Sequence, residues 1–140
     1  MNHFEKIAQQ LAVHDLDAML VTSAPGEFYA AGFHGEGVAV ITAGKTWYYT
    51  DSRYIEAAGQ LVTGAEVGMI RQLVQDIVAA QSIHRLGFED DHMSVAEYGQ
   101  WKQTVTAELV PASEILDLLR MVKDEAELAV MKAAQRIAEE

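Results

Sequence analysis

The chain has 140 residues, of which 50% are hydrophobic and 22% are charged, and its formal net charge is -11. This length fits one domain and is short for two, and the apolar fraction excludes an intrinsically disordered chain. The sequence contains no cysteine, which excludes a disulfide framework, a thiolate metal site and a cysteine nucleophile, and is consistent with a reducing cytoplasm.

The negative charge is spread along the whole sequence. Residues 1–70 contain eight acidic and three basic residues, and residues 71–140 contain thirteen and seven. A diffuse negative field repels phosphate backbones and anionic lipids, so we expect neither a nucleic-acid partner nor a membrane partner. The sequence opens without a basic, apolar leader and has no run of about 18 apolar residues, so we expect no signal peptide and no membrane span.

The first part of the sequence predicts a helix, a buried strand and a hairpin. Apolar residues recur at helical spacing over 4–12, and the next apolar run predicts a buried strand over 18–22. Pro25 is expected to end that strand in a turn, because proline cannot donate a hydrogen bond to a strand ladder. Two β-rich runs at 38–42 and 46–50, joined by a short glycine-bearing link, predict a hairpin.

Helical and strand patterns alternate after the hairpin. The predicted helices cover 53–62, 72–81 and a segment that begins after Ser94, and the predicted strands cover 65–70, 85–89 and 108–110. Ser94 and Glu97 have the spacing of a capping box. The order of elements predicts a three-layer α/β domain with a mixed sheet of about five or six strands flanked by helices.

The last part of the sequence predicts a helix that has no clear end. Asp124 and Glu127 are suited to a helix start, and an apolar stripe follows over 130–138. The final two residues are acidic, which opposes the dipole at a helix C-terminus. We expect this helix to continue into, and pack against, a part of the protein beyond Glu140; the alternative is a natural C-terminal helix that frays.

The residues by themselves indicate a non-catalytic domain. The glycines from Gly32 to Gly37 precede a strand and enclose an acidic residue, which argues against a phosphate-binding loop. No serine lies in a G-x-S-x-G elbow, and no two histidines have the H-x-x-x-H spacing of a zinc site. Residues 89–92, Glu-Asp-Asp-His, could bind a hard cation, but a solvated loop before Ser94 explains them with fewer assumptions.

Four segments carry a resemblance to a known family. Residues 28–37 (FYAAGFHGEG) are similar to a Tyr-Leu-Thr-Gly-Phe-x-Gly-Ser-x-Gly stretch, and 50–54 (TDSRY) to Thr-Asp-x-Arg-Tyr. Residues 86–89 (LGFE) match a strand before a capped helix, and 119–127 (LRMVKDEAE) contain Arg-x-x-Lys-x-x-x-Glu. In this order and spacing, the segments resemble the N-terminal domain of the creatinase/Xaa-Pro peptidase family, which includes prolidase, Xaa-Pro dipeptidase and Xaa-Pro aminopeptidase.

The resemblance implies a fold and a division of labour. It implies the creatinase/prolidase N-terminal fold, a ribonuclease H-like motif, over residues 1–120, with 121–140 as a linker and the start of a helix leading into an absent catalytic domain. The full-length parent would be a cytoplasmic Xaa-Pro metallopeptidase, a hydrolase with two divalent ions (Mn, Co or Zn) in that domain. The present chain would hold no metal and no catalytic residue, and would be inactive alone.

The resemblance also implies that this domain serves dimerisation and shapes the active-site entrance. In dimeric relatives, the N-terminal domain of one subunit overhangs the catalytic cleft of the other. The corresponding loop here is 33–37, in which Phe33 would form a hydrophobic wall, His34 would meet a substrate carboxylate and Glu36 would attract a free amino terminus. The alternative is a tight turn whose glycines relieve backbone strain and whose polar residues face water. The implied partners are the chain's own catalytic domain, a second copy and a proline-containing peptide.

Two further groups of residues are interpreted structurally. Asp51, Arg53 and Tyr54 form a structural motif in which Asp51 would cap a helix N-terminus and a buried Arg53 would bond carbonyls or a carboxylate; a ligand site is the less favoured interpretation. The aromatic run 47–49 is expected to alternate between the core and a subunit or domain contact, and Trp101 to pack against the sheet.

Two other functions stay open. Related pseudo-peptidase domains bind protein partners, so the chain could be a stand-alone interaction module. It could also be the N-terminal domain of a creatinase.

Overall fold

The computed structural model of the protein describes residues 2–69 and 73–121. Within these ranges, helices and strands alternate along most of the chain. In chain order they are α1 His3–Val13, β1 Ala18–Val21, α2 Ala24–Ala31, β2 Val38–Thr42, β3 Thr46–Tyr49, α3 Ile55–Leu61, β4 Glu66–Gly68, α4 Leu73–Ala80, β5 Arg85–Phe88, α5 Val95–Thr104, β6 Glu108–Pro111 and α6 Ser113–Met121.

The strands form one six-stranded mixed sheet in the order β4-β3-β2-β1-β5-β6. Strand β2 pairs antiparallel with both β1 and β3. The other three pairs, β3 with β4, β1 with β5 and β5 with β6, are parallel. The predicted α/β domain with a mixed sheet and an initial hairpin is therefore confirmed.

Both faces of the sheet are covered by helices, so successive strand residues enter two separate clusters. Met19 packs in one cluster with α1, α3 and α6, whereas Leu20 packs in the other with α4. Because side chains alternate across a strand, every residue of β1 is buried. Strands covered on both sides have a continuous apolar run in place of an alternating pattern, which is what 18–21 contain.

The prediction for the aromatic run 47–49 is wrong about a subunit contact. Tyr48 enters the α1 side of the core, while Trp47 and Tyr49 enter the α4 side, and all three are buried within this chain. Trp101 of α5 is partly buried against the α4-side cluster, which confirms its predicted packing against the sheet.

Helix α2 lies where a turn was predicted. The strand does end before Pro25, but the chain then forms a helix of eight residues. Ser23 caps it, with its hydroxyl accepting the Gly26 N–H at 2.9 Å, and Pro25 occupies the first turn, where a missing N–H has no intrahelical partner to lose. Gly32 ends the helix in the left-handed conformation, at φ 68°.

Helix α6 was not predicted either. Its residues Ile115 and Leu116 are buried in the cluster that contains α1, and the carboxylate of Asp90 accepts the N–H of Ser113 at 3.0 Å where the helix begins. The helix predicted from Asp124 lies outside the described residues, and the boundary proposed after residue 120 stays a prediction.

The described helices are all short, the longest having 11 residues. None of them is long and apolar enough to cross a membrane.

The packing around Gly87 of β5 predicts a large effect for a single methyl group. A Cβ there would lie 2.7 Å from the Leu16 Cδ1, 2.9 Å from the Met19 Sδ and 3.1 Å from the Ala112 Cβ. We expect Gly87→Ala to lower the free energy of unfolding by about 1–3 kcal/mol, the cost of overpacking a core.

Gly99, inside α5, provides the matched control because a Cβ there meets no atom within 4 Å. Gly99→Ala should raise the free energy of unfolding by about 0.5–1 kcal/mol through helix propensity. Urea denaturation of both variants measures the difference. Equal stability of the two variants would contradict the packing described for β5.

Candidate functional site

The loop 33–37 follows α2 and leads into β2, and a buried carboxylate lies beneath it. Glu27 of α2 is only 3% exposed. Its Oε1 accepts the N–H of Gly35 at 3.1 Å, and its Oε2 accepts the N–H of Gly37 at 2.5 Å. Oε2 also accepts the hydroxyl of Tyr48 at 2.6 Å. Three donors from the loop and the sheet therefore meet one side chain of the preceding helix.

The phenol of Tyr48 is held in its neutral, donating form. Burial raises the pKa of Tyr48 far above its usual range, and the hydrogen bond to Glu27 and the negative charge there raise it further. A neutral phenol is the form that can donate to a carboxylate.

Other contacts leave the loop little room to move. The hydroxyl of Thr50 donates to the carbonyl of Gly35, so both the N–H and the carbonyl of Gly35 are bonded. A Cβ on Gly37 would lie 2.6 Å from the Tyr48 hydroxyl oxygen and 2.7 Å from its ring. Glycine is therefore required at 37 by close approach, which refines the prediction that the loop glycines only relieve backbone strain.

The residue with a left-handed backbone in the loop is Glu36, at φ 51°. A left-handed conformation is unfavourable for a residue with a Cβ and is typical of strained functional loops. The side chain of Glu36 bonds Arg53 at 2.6 Å, and Arg53 also bonds Asp51 at 2.6 Å. The carboxylate expected to attract a free amino terminus thus already has a cationic partner.

The motif formed by Asp51, Arg53 and Tyr54 caps no helix. Its Arg53 side chain is exposed and binds Glu36 of the loop. The Asp51 carboxylate accepts the Arg53 N–H at 2.9 Å, but α3 begins only at Ile55, after Tyr54, which makes no side-chain cap. The side chain of Arg53 is 65% exposed, so its predicted burial is wrong, whereas its predicted bond to a carboxylate is present. The Arg53 guanidinium lies 5.2 Å from the centre of the Tyr54 ring.

Phe33 and His34 point to different surroundings. The Phe33 ring meets the rings of Tyr48 and Tyr54 edge-on, at centroid distances of 6.3 and 6.4 Å, and packs on the core. His34 is exposed and stacks on Phe28, with centroids 4.3 Å apart and planes 3° apart. The exposed face of the loop therefore displays His34 more than Phe33.

Phe28 belongs to the 28–37 motif but was not among the site residues predicted from the sequence. It is 52% exposed and borders a groove of about 730 Å³ together with His3, Tyr29, His34 and Arg120. A signal was present in the sequence, since Phe28 and His34 lie six residues apart within the same motif, residues 28–37. The pairing of the two rings depends on the helix, which was not predicted.

The solvated loop that was preferred for residues 89–92 is present at 90–92, which are exposed, but is wrong for Glu89. Glu89 is 2% exposed, and its Oε2 accepts the N–H groups of Thr22 and Ser23 at 2.9 and 2.8 Å. Its Oε1 accepts the Ser23 hydroxyl at 2.7 Å. Glu89 therefore holds the start of α2, and its oxygens are already engaged by protein donors.

The remaining acids of this segment contact α6. Ligand atoms of Asp91, His92 and Asp117 all lie within 4.8 Å of one another, at the surface. The Ser113 hydroxyl bonds Asp91 and is the main cause of a lowered Asp91 pKa. Burial raises the pKa of Asp117, and the hydrogen bond with Asp91 and the negative charge of Asp91 raise it further. These hydrogen bonds explain Asp91 as part of the start of α6.

Comparison with known proteins assigns the chain to a family. The model of the creatinase/prolidase N-terminal domain matches residues 4–122. The chain belongs to this family, as the resemblance in the sequence predicted.

The relatives include both longer proteins and isolated domains. "Uncharacterized peptidase YqhT" of Bacillus subtilis (strain 168) is 35% identical over 142 residues, which cover 97% of this chain and 40% of the relative. An Xaa-Pro dipeptidase from Bacillus anthracis has a TM-score of 0.86 at 28% identity, covering 94% of this chain and 38% of that chain. The N-terminal domain of the cytoplasmic peptidase PepQ from Mycobacterium tuberculosis H37Rv has a TM-score of 0.76 at 26% identity, covering 84% of this chain and 97% of that chain.

The chain thus spans about two fifths of the length of the first two relatives. It corresponds to nearly the whole of the isolated PepQ domain. The creatinase/prolidase N-terminal fold is confirmed.

The contact between Asp51 and Arg53 predicts a measurable titration. The hydrogen bond from Arg53 is the main cause that lowers the pKa of Asp51 below its ordinary range. Because the pKa is lowered in the folded state, the contribution to stability is present above the ordinary aspartate pKa and is lost as the pH falls through the lowered value. Both side chains are exposed, so added salt should weaken the effect.

NMR titration of the Asp51 carboxyl carbon measures this pKa. It should return toward the ordinary range in Arg53→Gln and stay lowered in Lys45→Gln, which removes a cation that pairs with Glu66. An Asp51 that titrates in the ordinary range in the unaltered chain would contradict its contact with Arg53.

Proposed function

We propose that this chain is the non-catalytic N-terminal domain of an Xaa-Pro metallopeptidase, a cytoplasmic dipeptidase or aminopeptidase. Its role is to form a dimer and to shape the entrance of the active site in the partner subunit. The observation that carries the proposal is the 33–37 loop, which is bonded at its base to buried Glu27 and exposes His34 at its surface. A loop whose shape is fixed in this way can limit the space available to a substrate at the entrance.

Several findings support a peptidase parent over the alternatives. The solved relatives include Xaa-Pro dipeptidases and aminopeptidases, and the Bacillus subtilis relative carries the name of a peptidase. These names favour a peptidase over a creatinase and over a stand-alone interaction module. The cytoplasmic location is supported by the name of the PepQ relative and by the cysteine-free sequence.

The two divalent ions belong, in this proposal, to a catalytic domain encoded after Glu140. When bound there, they would supply a metal-activated water for attack on the peptide bond before proline. Within 2–69 and 73–121, the acid and histidine cluster at Asp91, His92 and Asp117 is exposed, and Asp91 in it is bonded to Ser113. It lacks the enclosed setting that catalytic ions use, so we propose that this chain alone is inactive.

The residues of the loop suggest how substrate length would be selected. Arg53 pairs with Glu36, which reduces the attraction of the loop for a free amino terminus. His34 keeps ring nitrogens that can donate to a carboxylate, and Phe28 supports its ring from one side. A loop that presents a hydrogen-bond donor at a fixed distance from the active site would favour a dipeptide and exclude longer peptides.

The full-length parent, loaded with manganese, cobalt or zinc, tests the function. We expect hydrolysis of Xaa-Pro dipeptides or of longer Xaa-Pro peptides and no turnover of creatine, while the 140-residue chain should show none of these activities. Turnover by this chain alone, or turnover of creatine by the parent, would contradict the proposal.

Replacement of His34 tests the role of the loop in the parent. His34→Ala should raise KM for an Xaa-Pro dipeptide about 2- to 12-fold, the range for one hydrogen bond, and change kcat little. His84→Ala, at an exposed histidine next to Arg85 of β5, is the matched control and should leave KM unchanged. Equal effects of the two variants would exclude a substrate contact by His34.

A further inference from the structure

We infer that Glu27 is the positioning residue of the 33–37 loop, and that its carboxylate sets how far the loop projects over the entrance. This inference rests on the proposed function of the loop. Glu27 is not a catalytic residue, because it is buried and all of its contacts described above are with protein groups.

The contact at Glu27 joins one acceptor side chain to three donors. An ionised carboxylate has two oxygens, which accept hydrogen bonds and donate none. The three groups that approach Glu27 are the N–H groups of Gly35 and Gly37 and the neutral phenol of Tyr48, and all three are donors. Hydrogen bonds to an ionised acceptor are shorter and stronger than neutral ones, and the dry surroundings strengthen them further.

The backbone between Gly35 and Gly37 turns through a left-handed residue. Two N–H groups separated by one residue can converge on a single anion when the intervening backbone turns through right-handed and left-handed conformations, an arrangement known as an anion nest. Gly35 and Gly37 donate to the same carboxylate, and Glu36 between them has φ 51°. The left-handed conformation of Glu36 is thus explained by an anion nest that Glu27 fills.

Glu27 also connects the loop to the rest of the domain. Glu27 lies on α2, and the start of α2 is bonded to Glu89, the residue that follows β5. Tyr48, the third donor, belongs to β3. Glu27 therefore connects the loop to the central sheet, in addition to the bond from the Thr50 hydroxyl to the Gly35 carbonyl.

A purely stabilising role makes a different prediction from a positioning role. If Glu27 only stabilises the fold, its replacement lowers stability and leaves the substrate preference of the folded enzyme unchanged. If it positions the loop, its replacement changes the length preference of folded protein.

Three variants separate these roles. Glu27→Gln keeps the size of the side chain but has one acceptor oxygen in place of two, so at least one loop N–H must lose its partner. Tyr48→Phe removes the third donor and leaves both glycine N–H groups bonded to Glu27. Glu56→Gln, on the exposed side of α3, is the matched control for the loss of charge.

Amide hydrogen exchange on the 140-residue chain measures the anchoring directly. Glu27→Gln should speed exchange at Gly35 or Gly37 at least about tenfold, as expected for loss of a hydrogen bond to a charged group, whereas Tyr48→Phe and Glu56→Gln should not. Unchanged exchange in folded Glu27→Gln overturns the inference.

A second measurement needs no variant and covers the case in which Glu27→Gln does not fold. In the unaltered chain, scalar couplings across hydrogen bonds should connect the Gly35 and Gly37 amide nitrogens with the Glu27 carboxyl carbon. Their absence from otherwise well-resolved spectra overturns the inference.

Kinetics of the parent enzyme then tests positioning. Glu27→Gln should raise kcat/KM for a longer Xaa-Pro peptide relative to a dipeptide about tenfold, the effect of about one lost hydrogen bond, while Glu56→Gln keeps the original ratio. An unchanged ratio in an active, folded variant with faster exchange overturns the positioning role. A parent without any peptidase activity overturns the proposed function instead, and the exchange and coupling results still decide whether Glu27 anchors the loop.

Discussion

The carboxylate of Glu27 is the contact on which the geometry of the candidate site depends. A buried carboxylate is costly unless it is fully bonded, and here its partners are two loop N–H groups and one phenol. Because these donors come from 35, 37 and β3, satisfying the carboxylate also brings the loop onto the sheet. Bonding this one buried carboxylate fully therefore also fixes the shape of the loop.

Helix α2 is held by two such buried carboxylates, one from outside the helix and one of its own. Glu89 bonds its N-terminal end and Glu27 projects from its first turn toward the loop that follows its C-terminal end. Gly26 lies between them and could not carry a side chain, because a Cβ would come within 2.8 Å of the Ser23 hydroxyl oxygen and closer still to Glu89. The helix is thereby fixed near its N-terminal end, to the residue after β5 through Glu89 and to β3 through Glu27. The exposed pair of Phe28 and His34 follows this fixed end.

The sequence predicted the sheet well and the helices beside the site poorly. The hairpin and the β1 run were recognisable because they combine β-branched or aromatic residues with short links. Helix α2 was missed because the proline and glycine in its first turn are also typical of turns, and only the cap by Ser23 distinguishes the two. The expected burial of Arg53 was wrong because an Asp-x-Arg spacing indicates a contact between the two side chains but does not indicate whether that contact is buried or exposed.

The local pattern of residues was sufficient for the family, the α/β class and the place of the loop in the chain, because these depend on periodicity and on short motifs that survive in a single sequence. Whether Glu27 and Glu89 are surface acids or buried acceptors was decided only by the tertiary structure. Their donors are 8, 10 and 21 residues away for Glu27 and 66 to 67 residues away for Glu89. Contacts within one helix or between neighbours in one strand do not reach over such separations. The sequence pattern therefore favoured a solvated position for Glu89 and gave no prediction for Glu27, and the packed sheet showed which groups meet them.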